Sequence, residues 1–140
     1  MAVVEELLRT EENGAISFGN YALEAKAKVE DYEHGGDLYK VKTYRKLTKL
    51  EKNGMFAYES EPGTSVLQFE ETENGVSFLV YGEADAQITV GLEEDMEYSV
   101  SVGDTNIGTM KTNLSGKLSI SVELENVGEV AVKMVKIQNG

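Results

Sequence analysis

Lys117-Leu118-Ser119-Ile120-Ser121-Val122-Glu123-Leu124 carries an apolar residue at every second position, and the same parity runs through the whole stretch from Gln87 to Ile137. Ile88 and Val90 alternate with Gln87 and Thr89; Met96, Tyr98, Val100 and Val102 alternate with Glu97, Ser99 and Ser101; Val130, Val132 and Met134 alternate with Ala131 and Lys133. Successive side chains of an extended strand point to opposite faces, so a period of two over this many segments predicts antiparallel strands with one buried face. A helix turning about 100° per residue would scatter the same apolar groups around its surface. At Met134-Val135 the parity slips to Val135 and Ile137, and a β-bulge is expected there.

Upstream, Asn13-Gly14, Asn53-Gly54 and Asn74-Gly75, joined by Gly35-Gly36, stand between runs that contain apolar residues. Asn and Gly both tolerate positive φ, so each pair predicts a hairpin turn. The strands expected around these turns are Val3 to Thr10, Ala15 to Asn20, Gly36 to Thr43, Lys46 to Lys52, Met55 to Glu59, Ser65 to Glu70 and Val76 to Tyr81. Tyr21 to Val29 is rich in Ala, Glu and Lys, which favour helix, yet its alternation is unbroken and assigns it to strand. Pro62-Gly63, Gly103 to Asn106 and Asn113 to Gly116 supply further turns. The chain therefore reads as all-β, an antiparallel β-sandwich or jelly-roll-like fold made of two contacting hairpin subdomains, residues 1–85 and 86–140. Small and acidic residues at Gly82 to Ala86 mark the boundary, and whether the two parts share one core is left open.

A chain of 140 residues buries roughly 68% of its unfolded surface, enough for a cooperative fold without staples. It contains no cysteine, which removes disulfides, thiolate metal sites and thiol nucleophiles. Met1 to Arg9 lacks the basic lead and apolar core of a signal peptide, and no later run has the length of a membrane span. The expected address is the cytoplasm. A net charge of −12 repels phosphate backbones and anionic membranes, so neither nucleic acid nor membrane is an expected partner.

A serine triad needs a histidine base oriented by a carboxylate. His34 is the single histidine, and it falls in the acidic run Asp31 to Asp37, read as a turn with no nucleophile-elbow serine. Glu93-Glu94-Asp95 and Asp104-Thr105-Asn106 do not match the alternating oxygen ligands of a calcium loop. No catalytic residue, metal site or cofactor is therefore expected. The one departure from acidity is Lys40, Lys42, Arg45, Lys46, Lys49 and Lys52. That island either docks an acidic polymer or the acidic face of a second subunit, or it only balances the surrounding carboxylates or guards a sheet edge. Tyr32, Tyr39 and Tyr44 are the candidate sugar-stacking residues, and Lys40, Lys42, Arg45, Lys46 and Lys49 the candidate docking residues.

The runs Ser17 to Tyr21, Gly36 to Thr43, Tyr58-Glu59-Ser60 before Pro62-Gly63-Thr64, and Met110 to Lys117 resemble those of small all-β proteins of anaerobic Firmicutes that sometimes carry the label endosialidase. Sialidases hold the substrate carboxylate with three arginines on a six-bladed propeller. This chain has only Arg9 and Arg45 and is too short for six blades. What the resemblance implies is a small intracellular β protein. The expected function is a non-enzymatic binding, accessory or assembly module acting through a protein partner or self-association, with a carbohydrate-binding module as the alternative.

Overall fold

The computed structural model describes residues 2–137. In chain order its strands are β1 (Leu8–Thr10), β2 (Ile16–Phe18), β3 (Ala27–His34), β4 (Asp37–Tyr44), β5 (Leu47–Lys52), β6 (Met55–Glu61), β7 (Ser65–Thr72), β8 (Gly75–Tyr81), β9 (Ala86–Gly91), β10 (Glu97–Val102), β11 (Thr105–Lys111), β12 (Lys117–Val122) and β13 (Glu129–Lys136). They form two antiparallel sheets that pack as a β-sandwich. Sheet A has the order β1-β2-β7-β8-β13-β10-β11, and sheet B the order β12-β9-β6-β5-β4-β3. Among the described residues no helix is long and apolar enough to cross a membrane.

Parity places the core. Leu118, Ile120 and Val122 of β12, Ile88 and Val90 of β9, Tyr98 and Val100 of β10, and Val132 and Met134 of β13 are all buried, while their odd-numbered neighbours face out. Across from them Phe18, Tyr58, Phe69 and Phe78 meet edge to face or tilted, with ring centroids 5.3–6.4 Å apart. Such contacts add to the area each ring buries. β8 pairs with β13 and β6 with β9, so each sheet joins a block of strands from before Gly82 to a block from Ala86 onward. The buried residues, from Leu8 to Met134, form one cluster. Sheet A has one strand more than sheet B, and β11, at its margin, is exposed along almost its whole length.

Four expectations need correction. Of the strand expected from Val3 to Thr10 only Leu8–Thr10 forms, the residues before it making a turn in which the Leu7 N–H donates to the Val4 carbonyl. Tyr21 to Lys26 is not strand: β3 begins at Ala27, and the segment before it is a set of turns. Its alternation is overridden by local hydrogen bonds, because Asn20 Oδ1 accepts from the Ala22 N–H and the Leu23 carbonyl accepts from the Arg45 N–H. No bulge lies at Met134-Val135: β13 keeps its register with β8 and β10 through Val135, whose side chain is simply on the outer face. Finally, His34 is not in a turn but closes β3, the turn being Gly35-Gly36 alone.

The register does shift elsewhere. Glu30 and Asp31 of β3 together oppose Lys40 of β4, with Asp31 at φ 55°, and Ala57 of β6 is an extra residue between the pairs Leu50↔Tyr58 and Glu51↔Phe56. A bulge of one residue exchanges the two faces of a strand beyond it. That exchange decides which side chains sheet B shows to solvent.

Candidate functional site

Of the eight residues singled out for binding, six share one surface and two do not. Lys40, Lys42 and Tyr44 lie on the outer face of β4, alternating with buried Tyr39, Val41 and Thr43. Lys49 lies on the outer face of β5 between buried Thr48 and Leu50. Arg45 and Lys46 form the exposed two-residue turn that joins these strands. Tyr39 and Tyr32 instead oppose each other on the inner face: Tyr39 is 6% exposed, and Tyr32 packs against the core. The structure does not bring the three tyrosines together.

Lys52 also leaves the island. It reaches across the hairpin end of the sandwich, with Nζ 3.6 Å from Asp37 Oδ2 and 3.5 Å from Glu71 Oε1. Burial lowers its pKa, but the charges of Glu71, Tyr39 and Asp37 outweigh this and hold the ammonium above the ordinary lysine value. Beside it opens a cleft of about 510 Å³ between the two sheets, lined by Phe56, Glu71, Glu73, Glu93 and Tyr98 among others. Its charges are largely answered: Glu93 Oε2 accepts from Lys136 Nζ at 2.6 Å. Among the described residues no group of three or more His, Cys, Asp and Glu is placed to hold a metal ion.

Register extends the lysine surface beyond the residues found in the sequence. Lys28 of β3 stands directly opposite Lys42, and Lys42 directly opposite Lys49. The row continues through Glu59 of β6, Thr89 of β9 and Ser119 of β12, so six outward side chains cross the whole sheet. Directly opposed residues hold their Cβ atoms about 5 Å apart, and like charges in such pairs destabilise. Lys28 is relieved by Glu30, whose Oε1 lies 3.1 Å from its Nζ and 3.6 Å from that of Lys40. The hydrogen bond from Lys28 and then the charges of both lysines hold the Glu30 carboxyl below its ordinary pKa. Among the described residues Lys42, Lys49, Arg45 and Lys46 form no ion pair.

The margins of the row are aromatic or hydroxylic. Lys26 Nζ stands 5.4 Å from the Tyr44 ring centroid, and Lys117 Nζ stands 4.6 Å from that of Phe56. Thr89 Oγ1 and Ser119 Oγ share a hydrogen bond of 2.8 Å. Chemically the face offers fixed cations, hydroxyls and the carboxylates of Glu30, Glu51 and Glu59 on a flat support. The basic residues do not guard an edge, because β4 and β5 are interior strands of sheet B. Lys28, which sequence reasoning missed, reaches this face only through the bulge at Glu30-Asp31.

Comparison of the chain with protein-family models, with curated proteins and with solved structures gives no match.

Proposed function

We propose that this chain is a binding or assembly module, not an enzyme, and that it meets an acidic protein surface through the outer face of sheet B. One observation carries the reading: Lys42 lies between Lys28 and Lys49 on adjacent strands, and among the described residues neither Lys42 nor Lys49 closes an ion pair, although Glu59 stands opposite Lys49. In a chain of net charge −12, carboxylates were available to neutralise the row. A fold that instead lines up three cations about 4.8 Å apart, strand to strand, bears a cost that an acidic partner would remove on docking. Of the three candidate sugar-stacking tyrosines only Tyr44 lies on this face, so protein contact is the better supported reading.

The test uses poly-L-glutamate as the probe and a triple variant, Lys28→Glu, Lys42→Glu and Lys49→Glu. The wild-type chain is expected to bind the polymer at low salt and release it as salt shortens the Debye length. The triple variant, folded by circular dichroism, is expected not to bind. Equal binding by both proteins, or none by either, would remove the reading.

A further inference from the structure

The geometry points to a second copy of this chain as the acidic partner, the two outer faces of sheet B stacking about a two-fold axis; this rests on the docking role given above to that face. The strand order β12-β9-β6-β5-β4-β3 puts the midline of the sheet between β6 and β5, with three strands on either side. Along the row that crosses the sheet, Lys28, Lys42 and Lys49 lie on one side of that midline and Glu59, Thr89 and Ser119 on the other. A half-turn about an axis along the midline, in the plane of contact, lays each side over the other. Lys49 then faces Glu59 of the second copy, Lys42 faces Thr89 and Lys28 faces Ser119. Every cation meets a carboxylate or a hydroxyl, and no lysine meets a lysine.

The pattern also selects the position of the axis. Moved onto β5 it would set Lys49 against Lys49, and moved onto β6 it would set Glu59 against Glu59. In the next row towards the hairpin end, Glu30 lies near one margin of the sheet and Lys117 at the other. The same half-turn brings these opposite charges together. Stacked sheets cross at about 30°, so contacts nearest the axis survive the twist best, and Lys49 with Glu59 is the pair to test.

Six strands of about six residues present roughly 600 Å² per copy, so a pair buries about 1,200 Å² in all, the lower limit of specific interfaces. An interface of that size, charged and wet, makes a weak dimer that salt dissociates. Isologous symmetry closes it at two copies.

Sedimentation velocity across concentration and salt, on the full chain, tests the proposal. The wild type is expected to dimerise at low salt and dissociate at high salt. Lys49→Glu sets two carboxylate pairs face to face and Glu59→Lys two ammonium pairs, so each variant alone should dimerise about tenfold more weakly. An equimolar mixture of the two restores both attractive pairs and should dimerise like the wild type, as should the double variant. Thermal unfolding checks that all three variants fold. A wild type that stays monomeric throughout, single variants that associate as it does, or a mixture that fails to recover overturns the proposal. If poly-L-glutamate still binds while the wild type stays monomeric, the lysine face keeps its docking role and only the identity of the partner is wrong.

Discussion

Thr48 Oγ1 donates to the Thr64 carbonyl oxygen at 2.7 Å and accepts from the Thr64 N–H at 3.1 Å, so one buried hydroxyl ties a strand of sheet B to the residue that leads into sheet A. Its proton is committed to Thr64, which leaves the Thr43 hydroxyl to donate to it at 2.8 Å while accepting from the Asn20 N–H at 2.9 Å. Beside them Thr64 Oγ1 bonds the Tyr58 hydroxyl at 2.8 Å and Ser60 Oγ at 2.7 Å. Burial drives the Tyr58 phenol far above its ordinary pKa, despite the hydrogen bonds from Thr64 and Ser60 that act the other way. This network holds the end of the sandwich that carries the Arg45-Lys46 turn, opposite the Gly35-Gly36 and Asn53-Gly54 turns.

Thr48→Val keeps the shape and strands the partners of that hydroxyl. The expected loss is about 2–3 kcal/mol, which lowers Tm by roughly 5–10 °C. Thr48→Ser, which retains the oxygen, should lose less than about 1 kcal/mol. Urea unfolding of both proteins makes the comparison, and a valine variant as stable as the serine variant contradicts the network.

Lys42→Gln removes the cation flanked by Lys28 and Lys49 while keeping the stem. It should stabilise the isolated chain by about 0.5 kcal/mol at low salt, and the gain should vanish in high salt. Paired unfolding curves at two ionic strengths measure it; a destabilised variant at low salt would show that the row is not strained.

Gly75 opens β8 at φ 146°, and a Cβ built there would meet the Met134 carbonyl oxygen at 1.9 Å. That atom belongs to the backbone of β13, which pairs with β8 and cannot yield as a side chain would. Gly75→Ala should cost about 2 kcal/mol or more. Gly54→Ala also carries the strain of positive φ, but with nothing within 4 Å of the new atom it should cost less. Thermal unfolding that ranks Gly54→Ala as the worse variant would contradict this.

The Asn53 side-chain amide donates to Asp37 Oδ1 at 2.8 Å and holds that carboxyl below its ordinary value of 3.8; partial desolvation opposes this, and Lys52 reinforces it. A depressed folded pKa means stabilisation that is complete above 3.8 and lost as pH falls from there through the folded value. The stability gap between wild type and Asp37→Asn should therefore be level above that pH and shrink below it. A carboxyl-carbon NMR titration gives the pKa directly, and a midpoint at or above 3.8 would refute the assignment.

Much of the architecture was legible because strand parity is a local property. Leu118, Ile120 and Val122 announce an inward face without knowledge of what covers them, and Asn-Gly at residues 53–54 and 74–75 announces hairpins whatever pairs beyond. Tyr21 to Lys26 misled because alternation says nothing about the Asn20 and Arg45 hydrogen bonds that fold the segment into turns. The basic island was visible as a charge run, but Lys52 departs from it and Lys28, Glu59, Thr89 and Ser119 join it from distant segments.

By itself, the order of residues determined that this is a protein of antiparallel strands, where many of its turns fall, and which side chains of the last third are buried, since each depends on a residue and its near neighbours. Tertiary structure alone decided that strands from both halves share two sheets, because pairing partners far apart in the chain leave no local mark. It also decided the face of Lys28. Counted back from Gly35-Gly36 without a bulge, Lys28 would oppose Thr43 and point into the core; the extra residue at Glu30-Asp31 moves it opposite Lys42 and out to solvent. Ala57 does the same for Glu59 on β6. A bulge of one residue inverts every side chain beyond it, and a strand adopts one where burial of Val29 and Tyr58 outweighs the ladder bonds lost.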